Sequence, residues 1–260
     1  MSNKAKPILT KQDAVQQFIK KLEKLDHSRS SREKFRDLVT LAYCAHAKLT
    51  APTQERADGL EARYMRIVNS YQDKDTIRAY PELLAIAMMQ VGDFCYDFLG
   101  MVSSEIGALS NEMGQFFTPW EVSYMMARMQ MSDVAPMIES EGYIRVGEPA
   151  AGAGGMVLAA AQVLLEQGFD PALHMLVHAV DLSEIAFQMC YLQVNWAGIA
   201  AYVEHGNSLS LESFEGAWTI GALKFHEHHG HLSFQKPERE YLVEEEPMWE
   251  ERPFQLGFWG

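Results

Sequence analysis

At 260 residues, 48% of them hydrophobic and with a net charge of −13, the chain is long enough to bury one large core or two modest ones. No stretch of eighteen apolar residues occurs and no apolar run follows a basic start, which argues against a membrane span or secretory leader and for a cytoplasmic protein. Residues 1–80 hold 16 Lys and Arg against 10 Asp and Glu, and residues 81–260 hold 6 against 25, so only the N-terminal part favours a phosphate backbone, and lacking a basic cluster interleaved with aromatics it reads as solvated helix faces.

The first hundred residues read as helices. Thr10 with Asp13 can cap a segment that places Phe18, Leu22 and Leu25 on one side, and Ser30 with Glu33 can cap another carrying Phe35, Leu38, Val39, Ala42 and Leu49. A third carries Leu60, Tyr64, Ile67, Val68 and Tyr71. A fourth, opened by Pro81 and running to about Leu99, is apolar nearly all round and is expected at the centre of a helical bundle. Cys44, Cys95 and Cys190 form no CxxC pair, which argues for reduced, buried thiols.

In "GQFFTPWE" (114–121), Thr118 and Glu121 have capping-box spacing with Pro119 at the first helical position, and two adjacent aromatics before them need a core or a ligand pocket. The methionine-rich helix that follows, with Met125, Met126, Met129 and Met131, reads as adaptable core packing. Beyond it "YIRVGEP" (143–149), "MLVHAVDLS" (175–183), "AYVEHGNSL" (201–209) and "AWTIGAL" (217–223) read as short buried strands, with helices over about 155–167 and 184–197. That alternation predicts a parallel sheet with right-handed crossovers. The domains expected are helical over 1–110, α/β over 111–225, and an acidic, His- and Glu-rich tail over 226–260.

"VGEPAAGAGGM" (146–156) joins the first strand to its helix. A glycine turn there lets a ligand approach bare backbone, and an acid closing the second strand, Asp181, can hold ribose hydroxyls. A dinucleotide and S-adenosylmethionine both fit such a turn, as does a tight turn with no ligand. Glu148 separates the first two, since a carboxylate repels a pyrophosphate and attracts a sulfonium and an ammonium.

GQFFTP, then after about thirty residues EPAAGAGG, then AVDLS, then GNSL, resembles the modification subunits of type I restriction systems and the related N6-adenine DNA methyltransferases. The resemblance covers roughly residues 80–225 and implies a partial class I, Rossmann-like methyltransferase sheet behind the helical domain, with S-adenosylmethionine as cofactor. It implies that Phe116, Phe117 and Thr118 contact the methionine end, that Glu148, Gly152 and Gly154 form the turn, and that Asp181 binds the ribose. Gln115, Pro149, Ala150, Gly155, Leu182, Ser208 and Leu209 complete the candidate set within the same motifs. Asn207 stands where the family has an acid near the cofactor adenine, and its amide oxygen can accept from the adenine amino group.

In the family the fourth strand ends in Asn or Asp, Pro-Pro, and Tyr or Phe, which hold and stack the flipped base. Here "GAWTIGALKFHEHHG" occupies that place, no Asn or Asp follows Asn207, and no Pro-Pro occurs. The 35 residues from His226 are also short of the further strand–helix units implied, at about thirty residues each. The expectation is a truncated relative that binds the cofactor, assigns no catalytic residue, and does not methylate adenine as an isolated chain. The alternative is a non-catalytic regulator, decoy or partner subunit of a restriction-modification or other DNA-processing complex. DNA binding follows from the resemblance and is not supported by the charge. The fourth strand, lacking later strands beside it, is expected to be covered by "REYLVEEE" (239–246) or by a protein partner or second copy. "FHEHHGH" (225–231) is weighed as a metal site and set down as a histidine-rich tail, with no metal assigned.

Overall fold

The computed structural model describes residues 11–107 and 118–234. Thr10, Gln115, Phe116, Phe117 and the stretch 239–246, each given a role above, lie outside the described residues.

The helical lead-in comprises α1 (Lys11–Glu23), α2 (Ser31–Ala47), a 3-10 turn (Lys48–Thr50), α3 (Gln54–Ser70), α4 (Lys74–Phe94) and α5 (Phe98–Glu105). The α2 start is the capping box expected, with Glu33 N donating to the Ser30 hydroxyl and Ser30 N to Glu33 Oε2. Leu49 departs from expectation. The helix ends before it, and the 3-10 turn leaves its side chain 69% exposed.

α4 also differs from the sequence reading. It starts at Lys74 behind the cap Asp73, so Pro81 lies inside the helix rather than at its head. Leu83, Ala87 and Val91 are buried while Met88 and Met89 are exposed, which is one apolar stripe rather than a central helix. Cys95, left-handed at φ +45°, ends it, and Asp97 caps a separate α5.

The α/β part comprises α6 (Trp120–Gln130), α7 (Ala135–Glu141), β1 (Ile144–Glu148), α8 (Gly155–Glu166), the short α9 (Pro171–His174), β2 (Met175–Asp181), α10 (Glu184–Trp196), β3 (Ala200–Asn207), β4 (Glu212–Trp218) and α11 (Gly221–His229). α6 begins at Trp120 with Pro119 as its cap and no side-chain cap bond, so the Thr118–Glu121 capping box does not form. Met125, Met126 and Met129 are exposed, the last by 74%, and only Met131 packs on the core, which corrects their reading as core packing.

The sheet order is β1-β2-β3-β4, parallel through β3 and antiparallel at β4. The fourth strand was expected at 217–223 and parallel. Only Ala217 and Trp218 of that stretch are strand, and Gly221 onward is helix. The reason is connection length, because residues 208–211 suffice for a hairpin and a parallel crossover needs a dozen or more. Asn207 Oδ1 accepts from the amides of Leu209 (3.0 Å) and Ser210 (3.3 Å), closing that turn. Glu215 fastens the hairpin to the helices by accepting from the Tyr43 hydroxyl at 2.6 Å and pairing with Arg56 and Arg63. Burial opposes its ionisation, yet these partners hold its carboxyl below the ordinary range.

Alternate residues of the strands face two layers. Val177, Ala179, Ala201 and Val203 join one continuous core with Phe18, Leu38, Leu99, Val157 and Phe187, so the lead-in packs directly on the sheet layer. Tyr43 sits edge-on to Phe187 and Tyr191, each at 5.1 Å. On the opposite face Leu176 and Ala200 pack with Tyr143, Ala222 and Phe225 of α11. The domain boundary expected between 225 and 226 therefore falls inside α11. The chain then crosses this face to Phe234, which stacks on Trp218 at 5.7 Å. Cys44, Cys95 and Cys190 are free and buried, as expected. Among the described residues no helix is long and apolar enough to cross a membrane.

Candidate functional site

The glycine turn lies between β1 and α8, at the ends of the parallel strands, where ligands of such sheets bind. Gly152 (φ +56°) and Gly154 (φ +96°) are both left-handed, a backbone state that costs other residues roughly 1–2 kcal/mol. A Cβ on Gly154 would also lie 3.3 Å from Cys190 Cα. The turn therefore rests directly on α10.

Four hydrogen bonds fix its course. Ala151 N donates to Val180 O at 2.9 Å and Gly154 N to Ala151 O at 2.8 Å. Gly152 N donates to Asp181 Oδ2 at 2.7 Å, and Ala150 N to Glu148 Oε1 at 3.1 Å. Asp181 Oδ1 accepts from Ser183 N at 2.8 Å. The side chain expected on ribose thus clips turn, strand and α10 together, with further acceptor capacity on each oxygen. Burial raises the Asp181 carboxyl above its ordinary value against the pull of those amides and His205. α8 begins behind Gly154 with no side-chain cap, leaving its first amides for a ligand.

A cavity of about 440 Å3 adjoins the turn and is lined by Glu148, Pro149, Val180, Asn207, Ser208 and Leu211 among others. It unites expected site residues from two motifs, Glu148 and Pro149 with Asn207 and Ser208, while Asp181 does not line it. Asn207 lines it, but the amide oxygen expected to meet adenine is the one accepting the two loop amides. Leu182 is exposed and Leu209 is 95% exposed, and neither lines this cavity. His178 and Glu204, paired at 2.9 Å, line it and were not expected. They face one side of β2 and β3, a pairing that becomes visible only once the register is known.

A second unexpected residue stands on the other side of the turn. Asp97 Oδ1 accepts from Gly100 N at 2.8 Å and from Gln193 Nε2 at 2.7 Å. Gln193 Nε2 also donates to Ala153 O at 2.7 Å, and its Oε1 accepts from Leu99 N at 2.9 Å. Asp97 is 6% exposed, and burial raises its carboxyl above the ordinary range. With Gly100, Ser104, Glu105, Thr118 and Trp120 it lines a cavity of about 400 Å3, so the expected Thr118 shares a cavity with Asp97 and not with the residues of the turn. The thiol of Cys190, beneath the turn, is pushed up by burial and by three carboxylates, Asp181, Asp97 and Glu148.

The residues present fit S-adenosylmethionine. Three acids stand around the turn, and the start of α8 behind it has no side-chain cap, which suits a ligand carrying a sulfonium and an ammonium beside a carboxylate. The histidines of 226–231 do not form a comparable centre. His229 is held by Leu173 O at 2.7 Å, and no group of three metal-ligating side chains comes together among the described residues.

A family model described as N-6 DNA Methylase matches residues 91–246. A solved structure from Listeria monocytogenes, assigned to the class I S-adenosylmethionine-dependent methyltransferases, is 13% identical with a TM-score of 0.33, too distant to carry an argument. The match covers 72% of this chain and 51% of that one, so the chain spans about half its length. No curated protein matches the chain.

Proposed function

We propose, from the premise that this chain belongs to the N-6 DNA methylase family, that it binds S-adenosylmethionine at the glycine turn and does not methylate adenine as an isolated chain. The observation that carries the first half is the turn itself, with Gly152 and Gly154 left-handed and Glu148 and Asp181 beside them. When bound, the cofactor supplies a methyl group made electrophilic by its sulfonium. The uncapped start of α8 receives the methionine carboxylate, Asp181 takes the ribose hydroxyls on its remaining lone pairs, and Glu148 attracts positive charge. The 440 Å3 cavity between Pro149, Val180 and Leu211 has the size and apolar lining for the adenosine.

The second half rests on the acceptor side. Holding an adenine amino group requires an acceptor and a stacking aromatic together. The sequence has no Asn or Asp after Asn207 and no Pro-Pro, and β4 runs through Trp218 into α11 at Gly221, where the family's acceptor loop would stand. Calorimetric titration of S-adenosylmethionine into the full chain tests the first half, and the absence of binding overturns it. Transfer of labelled methyl to adenine-containing DNA tests the second, and robust transfer overturns that.

One observation favours a role as a regulatory or partner subunit. With 6 basic against 25 acidic residues after position 80, residues 81–260 suit a protein partner better than a phosphate backbone. Tight DNA binding by the isolated chain at physiological salt would overturn this reading.

A further inference from the structure

Half of a buried carboxylate is unused. Both hydrogen bonds accepted by Asp97 go to Oδ1, while Oδ2 takes none among the described residues although the side chain is 94% buried, being 6% exposed. Oδ2 lies 3.2 Å from where a Cβ on Gly155, the first residue of α8, would stand. Asp97 therefore flanks the uncapped start of α8 and lines the 400 Å3 cavity that Thr118 also lines. With no protein donor on it among the described residues, Oδ2 can be met only from the cavity side, by water or by a cation, and a cation answers its charge better. Lys11, the lysine packed on Tyr96 and Trp120 at 4.5 and 5.2 Å from their ring centres, is drawn to Glu121 rather than to Asp97.

We propose that Asp97 receives the α-ammonium of the cofactor's methionine on its free Oδ2, so that the helical lead-in supplies part of the cofactor site. The proposal rests on the reading that the turn binds S-adenosylmethionine. The cofactor's amino-acid end carries one positive and one negative group. The α8 amides suit the negative one and repel the positive one, which must turn to an acid on the same side of the turn. Asp181 has both oxygens joined to amides, those of Gly152 and Ser183, and Glu148 gives one oxygen to Ala150 N and lines the cavity assigned to the adenosine, whereas Asp97 Oδ2 takes no bond among the described residues and stands beside the first residue of α8. Asp97 would then decide selectivity, admitting ligands that carry the amino-acid end over those that carry only the nucleoside and thioether.

The test compares two ligands on two proteins. Asp97→Asn keeps the oxygen that accepts from Gly100 and Gln193, and Asn caps helices as well as Asp, so the fold survives while the charge is lost. S-adenosylmethionine and 5′-methylthioadenosine, which lacks the amino-acid end, are titrated into both full-length chains by calorimetry, with the thermal midpoint as a folding control. The expected result is a loss of about tenfold to a hundredfold in S-adenosylmethionine affinity, the range of a charge-assisted hydrogen bond, with 5′-methylthioadenosine unchanged. Equal losses for both ligands, or no loss for either, overturn the ammonium role while leaving cofactor binding by the parent intact. Failure of the parent to bind S-adenosylmethionine overturns the underlying reading and this proposal with it.

Discussion

The side-chain amide of Gln193 donates to the carboxylate of Asp97 across 2.7 Å, joining residues 96 positions apart in the chain. The same nitrogen reaches Ala153 O in the glycine turn, and the amide oxygen takes Leu99 N. One buried side chain thereby locks α10, α5 and the turn to each other.

Gln193→Ala is therefore expected to cost about 2–4 kcal/mol, since it strands a buried carboxylate, a carbonyl and an amide. Urea unfolding of the variant beside the parent measures it. A cost under about 0.5 kcal/mol, the level of an ordinary surface change, would show that water replaces the amide without penalty.

Asp181→Ala removes the acceptor for Gly152 N and Ser183 N and is expected to weaken S-adenosylmethionine binding by about 1–3 kcal/mol. Calorimetry reads this directly, and unchanged affinity would exclude Asp181 from the cofactor site. Gly154→Ala should do at least as much damage, because a Cβ there meets Cys190 while the backbone stays left-handed.

How much of this was legible in the sequence follows from locality. The turn, Asp181 and the strands before them are signalled by neighbours along the chain, as strand, glycines and helix follow within twenty residues. Asp97 carries no such signal, because its partner Gln193 and its neighbour Gly155 are far away in sequence and its local pattern is only a helix cap. β4 was misplaced for a different reason. Apolar content pointed to "AWTIGAL", but an edge hairpin strand faces water on one side and its residues, Glu212 to Glu215, are polar or exposed.

The acids at the turn make stability depend on pH in a defined direction. Burial holds Asp97 and Asp181 above their ordinary value of 3.8. A carboxyl raised in the folded state favours folding below its unfolded value, and that contribution is lost as pH rises through the folded value. Asp97→Asn removes one such group, so its stability relative to the parent should improve as pH rises over the interval above the ordinary carboxyl value of 3.8. A difference that stays flat across urea melts in this interval would contradict it.

The stretch after Phe225 covers the second face of the sheet. His229 is tied to Leu173 O at 2.7 Å, Ser233 O accepts from Tyr143 at 3.1 Å, and Phe234 stacks on Trp218. Deleting everything beyond Phe225 bares Trp218 and Tyr143 and is expected to cause aggregation. A shortened chain that stays monomeric and as stable as the parent in size-exclusion and thermal measurements would show that this cover is dispensable.

The Leu99–Gln193–Asp97–Ala153 chain has a consequence for inheritance. A recombination joint placed near residue 110, where helical and α/β regions look separable, would bring an Asp97 from one lineage against a residue 193 from another. Unless that residue were again a glutamine, the hybrid would leave Asp97 with Gly100 N alone, and Ala153 O and Leu99 N without their partner. Exchanging the lead-in or the sheet by itself therefore carries the cost of that broken link.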